Sequence, residues 1–361
     1  MWNKTKATER LRIGYPIIQG PFGNGASSAK LVSTVSNAGG LGSYGAYHLQ
    51  PEEIEEINAG IKTLTNKPYA INLWVNDVDI NNNNFSAEEY ENLKTAFKPF
   101  FDELKIPLPQ KPEPVASKFE KQAETILRIK PPVFSFIFGI PSEEIIKECK
   151  KQKIVTIGTA TTLDEAIALE NAHVDLIAAT GFEAGGHRPS FLNSAEESLT
   201  GTFALIPQIA DNVNTPIIAA GGIADARGIV AALTLGASAV QIGTAFLACE
   251  ESNASPGHRQ ALFSKRARYS TLTRSFSGRL ARGIQGKISE ATKENKVAPF
   301  PLQRAFMSSL QKAAHEQNRP DLLTFSAGQT APVLKHKKAT ELFNSLVTET
   351  EKILQNWSSQ K

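Results

Sequence analysis

Cysteine is scarce. Cys149 and Cys249, a hundred positions apart, are the only two in 361 residues. They provide neither a disulfide framework nor zinc-ligand spacing, and they fit a reduced interior. Long apolar runs are absent too, so nothing approaches the length of a membrane span. The opening residues, "MWNKTKATER", carry no apolar core of a secretory signal. These absences lead us to expect a soluble, cytoplasmic protein with no membrane partner. No His/Asp/Glu set has metal-ligand spacing, so metal catalysis finds no support. A dinucleotide fingerprint is missing as well. "GGLGSYG" (Gly39–Gly45) looks like one but falls within an expected strand, with a helix on its N-terminal side.

Charge is the one strongly uneven property. Residues Ser252 to Met307 carry net +9 in a chain of net +3, which leaves −6 elsewhere. Such a block can face nucleic acid or an anionic substrate. No nucleic-acid motif accompanies it, so it reads as a solvated face and no nucleic-acid partner is expected.

What is present is ordinary globular composition, 41% apolar and 21% charged, with a regular order of elements. Eight apolar runs alternate with helical patterns: "YPIIQG", "LGSYGA", "YAINLWV", "PVFSFIF", "KIVTIGTA", "VDLIAAT", "TPIIAAGGI" and "SAVQIGTAFL". Most are continuous rather than alternating, as expected for strands covered on both faces. The intervening segments carry helix signals, such as the threonines and early acids of "TTLDEAIALENA". This order fits an α/β fold, a (β/α)8 TIM barrel, while a doubly wound open sheet is the rival that counting leaves standing.

Two stretches interrupt the repeat. Asp77 to about Pro114 reads as an insertion after the third strand, and its asparagine run as an exposed irregular loop. Glu250 to Leu323 holds the basic block and delays the last helix, expected in "KKATELFNSLVTETEKILQNW". The expected division is a barrel of residues 1–249 and 325–361, with 250–324 a basic, mainly helical subdomain covering the active site after the eighth strand.

Glycines mark the ends of late strands. Gly221 and Gly222 close the seventh, and Gly243 with Thr244 close the eighth, where such barrels commonly bind phosphate. Glycine lets backbone N–H groups approach an anion, and a following helix end adds a favourable dipole. After the sixth strand, "GFEAGGHRPSF" presents His187 behind Gly185 and Gly186. The glycines would let backbone approach a flat ring, and an imidazole there could act as base or hydrogen-bond donor. The other histidines, His48, His173, His258, His315 and His336, read as structural.

Together "PIIQGPFGNGASSAKLVSTVSNAGGLGSYGA", "GFEAGGHRPSF", "PIIAAGGIADARGI" and "AVQIGTAFLACEES" resemble the nitronate monooxygenases, formerly 2-nitropropane dioxygenases. "FSGRLARGI" and "FSAGQTAP" carry the likeness to Pro332, and the histidine after "EAGG" points to the class I branch. The resemblance implies an FMN-dependent TIM-barrel enzyme that oxidises alkyl nitronates or nitroalkanes with O2 to carbonyl compounds and nitrite. It further implies FMN phosphate contacts at Gly221, Gly222, Gly243 and Thr244. Gln19, Pro21, Phe22, Asn72 and Gln329 would lie beside the flavin, the loop Glu183–Gly186 would run along its ring, and His187 would be catalytic.

Two departures stand out. Phe22 in "QGPFGNG" replaces the family's usual methionine, and "GRLARG" lacks its usual proline; the first would reshape the wall beside the flavin. Glu183 could be an acid–base group or a structural one, and Arg188 could hold a nitro group or face solvent. Tyr269, Arg279 and Arg282 could close the pocket or pair on the barrel rim. The nearest alternative is an FMN-dependent NAD(P)H:quinone or enoyl-acyl-carrier-protein reductase on the same barrel. A phosphate-binding aldolase or isomerase would want a lysine at a strand end, and none is expected there.

Overall fold

The computed structural model describes residues 1–79, 85–113 and 116–359. The asparagine run expected to form an exposed loop, Asn81–Asn84, lies outside them. Strands β1 (Ile17–Gln19), β2 (Gly42–Gly45), β3 (Tyr69–Trp74), β4 (Val133–Ile137), β5 (Val155–Ala160), β6 (Leu176–Thr180), β8 (Ile217–Ala220) and β9 (Ala239–Ile242) build one parallel sheet. A short strand, β7 (Gly186–His187), stands outside it and pairs with β11 (Ala281–Ile284), which in turn pairs with β10 (Ser270–Thr273).

The parallel strands follow one another in space, and β1 returns to pair with β9, Ile18 opposite Gln241. A parallel bridge from Ile18 to Leu41 joins β1 to the start of β2. The sheet therefore curls into a nearly closed eight-stranded barrel with helices between the strands, and the open-sheet rival is excluded. Each run meets solvent on neither face, which is why it is apolar throughout rather than alternating.

Local signals set the element ends. Thr162 caps the helix Leu163–Asn171 by accepting from Glu165 N at 3.2 Å. Gly236, one residue past the C-cap of the helix Ala226–Thr234, sits at φ +106° and lets the chain turn back into β9. The eighth apolar run breaks earlier than its composition suggests. "AVQI" is strand, but Thr244–Leu247 turns into a short helix after Gly243.

The barrel's N-terminal end is plugged. Ala7 and Leu11, from the helix Lys6–Leu11, pack with Ala70, Val133, Leu176, Ile218 and Ala239 at the starts of the strands. The other end carries the insertions. The helix Ala87–Glu103, within the first, and the helix Leu302–Glu316, within the second, share an apolar core distinct from the barrel's, with Phe97, Phe101 and Phe306 fully buried. A smaller aromatic cluster, Tyr47, Trp74, Phe138 and Phe300, ties this unit to the barrel mouth. Among the described residues no helix is long and apolar enough to cross a membrane.

Candidate active site

The glycine pair after β8 turns sharply, with Gly221 at φ +97° and Gly222 at φ +70°. Side chains rarely adopt that conformation. A Cβ on Gly221 would also stand 3.0 Å from Gly181 O and Thr202 Oγ1. The backbone N–H groups of Gly221, Gly222 and Gly243 have no acceptor among the described residues, which is the condition an anion needs. The short helix beginning at Thr244 points its own N-terminus to the same end of the barrel.

The residues expected around a cofactor come together in a chain of contacts. Phe22, largely buried, lies 4.0 Å from where a Cβ on Gly243 would be. Thr244 Oγ1 accepts from Gly328 N at 2.8 Å, and Gln329 N donates to Glu183 O at 3.0 Å. Gly185 packs so closely on this loop that a Cβ there would stand 2.5 Å from Gly328 N. Gly186, at φ +82°, has nothing within 4 Å of a Cβ position. The two glycines therefore differ: Gly185 admits the Ala327–Gly328 backbone, and only Gly186 faces open space. Gln19 is buried and held by Gly20 O and by Ser43 N, the latter at 3.0 Å. Asn72, buried on β3, donates to Ser135 Oγ at 3.0 Å. Pro21 is half-buried between Gly20 and Phe22, and the Gln329 side chain is exposed.

His187 is positioned by strand pairing. β7 lies against β11 with His187 opposite Ala281, so the second insertion, not the barrel alone, fixes the imidazole. Its ring meets Trp74 edge-on at 5.1 Å and Phe138 at 6.3 Å. Nε2 lies 2.8 Å from Ser277 Oγ, which also lies 3.2 Å from Arg279 O. Nε2 is therefore the engaged ring nitrogen, and Nδ1 has no partner among the described residues. Burial, reinforced by the guanidinium groups of Arg279 and Arg304, pushes the imidazole pKa down to about 3. The ring is neutral at physiological pH.

The ambiguous charges separate cleanly. The Glu183 carboxylate accepts from Thr202 N at 2.9 Å and from Thr202 Oγ1 at 3.0 Å, which fixes the start of the helix Thr202–Ala210. Arg188 is buried with its guanidinium on the carbonyls of Thr161, Thr180 and Ser198, so it braces the loop and does not reach a substrate. Arg282 donates to Phe182 O at 2.9 Å and Ser270 Oγ at 3.1 Å. Tyr269 is 67% exposed and closes nothing. Arg279 is only 7% exposed, with Nε on Asp79 Oδ1 at 2.8 Å and Nη2 on Asn76 O at 2.6 Å. Its Nη1 is buried without a partner among the described residues. Such a group costs about 1–3 kcal/mol or more when left unpaired.

Sequence reasoning passed over Tyr47, Trp74, Phe138, Ser277 and Arg304. Tyr47 and Trp74 stack at 3.6 Å, and the Arg304 guanidinium caps the pair through Tyr47 Oη. Tyr47 and Phe138 lie just past the ends of β2 and β4, and Trp74 ends β3. That placement at strand C-termini was the available signal. The aromatic character disguised it as core.

A family model described as nitronate monooxygenase matches residues 4–349. A protein of Staphylococcus haemolyticus named probable nitronate monooxygenase is 39% identical over 358 residues, covering 98% of this chain and 99% of its own. The solved nitroalkane oxidase of Streptomyces ansochromogenes superposes with a TM-score of 0.90 at 29% identity, covering 98% of this chain and 100% of that one. FabK of Thermotoga maritima is also similar, with a TM-score of 0.75 at 26% identity over 99% of each chain. The barrel, the histidine-bearing loop and these full-length similarities agree: the chain is an enzyme and belongs to the nitronate monooxygenase family.

Proposed function

We propose that the enzyme oxidises alkyl nitronates with O2 and FMN, and nitroalkanes by way of their nitronates, to a carbonyl compound and nitrite. The observation that carries this reading is a neutral imidazole, with no Nδ1 partner among the described residues, on the loop after β6, at the same strand ends as glycine N–H groups that have no acceptor among those residues. The likeness to the solved nitroalkane oxidase supports it.

The N–H groups of Gly221, Gly222 and Gly243, with Thr244, would hold the FMN phosphate. Gln19, Pro21, Phe22, Asn72, Gly186 and Gln329 would line the isoalloxazine. Gly185 contributes by admitting the Ala327–Gly328 backbone. Bound FMN supplies electron transfer from the substrate to oxygen. His187 Nδ1 accepts the proton when the substrate arrives as a nitroalkane, and Ser277 orients the ring through Nε2. The imidazolium so formed sits beside Arg279 and Arg304, which makes proton abstraction difficult and favours substrates already ionised. The segment 250–324, packed on 85–104, covers the mouth and excludes water.

Purified protein should be yellow and take up oxygen with propionate 3-nitronate or nitroethane faster than with NADH. A colourless preparation that FMN does not reconstitute defeats the flavin reading. A yellow protein reduced rapidly by NADH and indifferent to nitronates establishes the reductase alternative instead. The His187→Asn variant should retain FMN and lose neutral nitroalkane turnover far more than nitronate turnover. Equal losses would make His187 a positioning group.

A further inference from the structure

Distant stretches of the chain meet at Arg279. Its Nε donates to Asp79 Oδ1 at 2.8 Å and its Nη2 to Asn76 O at 2.6 Å, both just past β3. Asp79 is tied in turn to Phe300: Asp79 N donates to Phe300 O, and Phe300 N to Asp79 Oδ2, each at 3.0 Å. The guanidinium carbon lies 4.1 Å from the Phe138 ring centroid and 4.6 Å from that of Phe300. Phe138 holds φ +62°, a left-handed conformation that is costly for a bulky side chain, and its carbonyl accepts from Asn76 N at 3.1 Å. Backbone strain is thus kept at the place where the ring meets the guanidinium. Nη1 is shielded from solvent, so this side chain acts on the protein and not on a substrate.

The backbone of Arg279 bears on His187. Ser277 Oγ, 2.8 Å from His187 Nε2, accepts from Arg279 N at 3.4 Å and lies 3.2 Å from Arg279 O. Arg188 N, next to the histidine, donates to Leu280 O at 2.8 Å, and His187 itself stands opposite Ala281. Residues 277–281 therefore seat the imidazole, and the Arg279 side chain ties that run to the loop after β3. Phe138, stacked on the guanidinium, also flanks the imidazole.

We infer that Arg279 is a positioning residue for His187: its side chain pins the 277–281 run to the end of β3, and its backbone holds the hydroxyl that orients the imidazole. Without the pin, the ring leaves the geometry in which Nδ1 meets a substrate C–H. The effect on turnover rests on the reading of His187 as the base; the seating of the ring is read separately.

Charge alone predicts the opposite sign. The charged groups that bear on the imidazole are the guanidiniums of Arg279 and Arg304, while Asp79 and Asp77 bear on Arg279 and burial keeps the Tyr47 phenol neutral. Removing the Arg279 guanidinium relieves the imidazolium of a like charge, which makes His187 a stronger base. A displaced base is a slower one whatever its strength, because proton transfer needs hydrogen-bond reach.

In FMN-loaded Arg279→Gln, kcat for nitroethane should fall by about tenfold to a hundredfold with KM little changed, while kcat for ethylnitronate stays close to wild type. With isotope-labelled histidine, the His187 ring, identified by its loss in His187→Asn, should give one narrow set of NMR signals in the wild type. The same signals should broaden or double in Arg279→Gln. A nitroethane rate that holds or rises, with the ring signals still narrow, overturns the inference. Equal losses on both substrates with narrow signals overturn it too, and leave Arg279 a residue of the fold alone. If Arg279→Gln does not fold, Arg279→Lys decides, since it keeps the charge and loses the planar fork. A loss confined to nitroethane then supports the pin, and a wild-type ratio of the two rates overturns it. If His187→Asn loses both substrates equally, the base reading fails and the ring signals decide alone: broadening confined to His187 in the Arg279 variant supports the seating, and unchanged signals overturn it.

Discussion

At the scale of single residues, the site works by withholding charge from one side chain and keeping it on its neighbours. His187 is neutral because burial and two guanidiniums disfavour the imidazolium, whose pKa falls to about 3. The activity profile should show it. For a preformed nitronate, kcat/KM should be flat between about pH 5 and 8, without the inflection near 6.5 that an unperturbed histidine imposes. An inflection there that disappears in His187→Asn would contradict the assignment. The same shift has a cost in stability. His48 and His258 are also lowered, chiefly by burial. A histidine with a depressed folded pKa is protonated first in the unfolded chain, so its contribution is intact above about pH 6.5 and erodes as the pH falls below that. Thermal unfolding midpoints should therefore drop from pH 7 to pH 5, and His187→Asn should shrink that drop.

At the scale of elements, the loop after β6 shows why adjacent glycines are not equivalent. Gly185 is pressed against Ala327 and Gly328, while Gly186 takes a left-handed turn into open space. Gly185→Ala should push the 325–329 loop outward, break the Thr244–Gly328 and Gln329–Glu183 contacts, and destabilise by about 1–3 kcal/mol. Flavin titration by fluorescence quenching should show weaker FMN binding in that variant. Wild-type affinity would mean the loop does not help hold the cofactor. Both glycines, and His187 after them, were legible in the sequence because the motif interrupts an apolar run. The pairing of β7 with β11 was not. Two residues of strand carry no periodicity, and their partner lies almost a hundred positions away. Trp74 and Phe138 were missed for a different reason: at the end of a continuous apolar strand, a residue facing the site has the same character as one facing the core.

For the molecule as a whole, the barrel was legible because each β/α unit is local and each run is buried on both faces. The unit above it was harder to see. Its core joins Phe97 and Phe101 to Phe306, segments that sequence reading treated as two unrelated insertions. Hydrophobic pattern reports which face of a helix is buried, and it is silent on the partner. Phe306 is fully buried and meets Tyr90, Phe97 and Phe101 ring to ring. Phe306→Ala should cost about 3–5 kcal/mol within that unit. Hydrogen exchange should then loosen residues 87–103 and 302–316 together while leaving the strands of the barrel protected. Loosening of only one of the two helices would mean that they are not one cooperative unit.

That shared core has a consequence for how the chain is made. The helix Ala87–Glu103 leaves the ribosome with Phe97 and Phe101 ready to be buried, but Phe306 is still about two hundred residues from being translated, on the order of ten to forty seconds at ordinary elongation rates. Through that interval the barrel strands can assemble in the order they emerge, while an oily helix waits beside them uncovered. The nascent chain is most exposed to aggregation and to chaperone capture then, and slowing translation between β4 and the helix Leu302–Glu316 would lengthen that exposure without changing a single residue of the product.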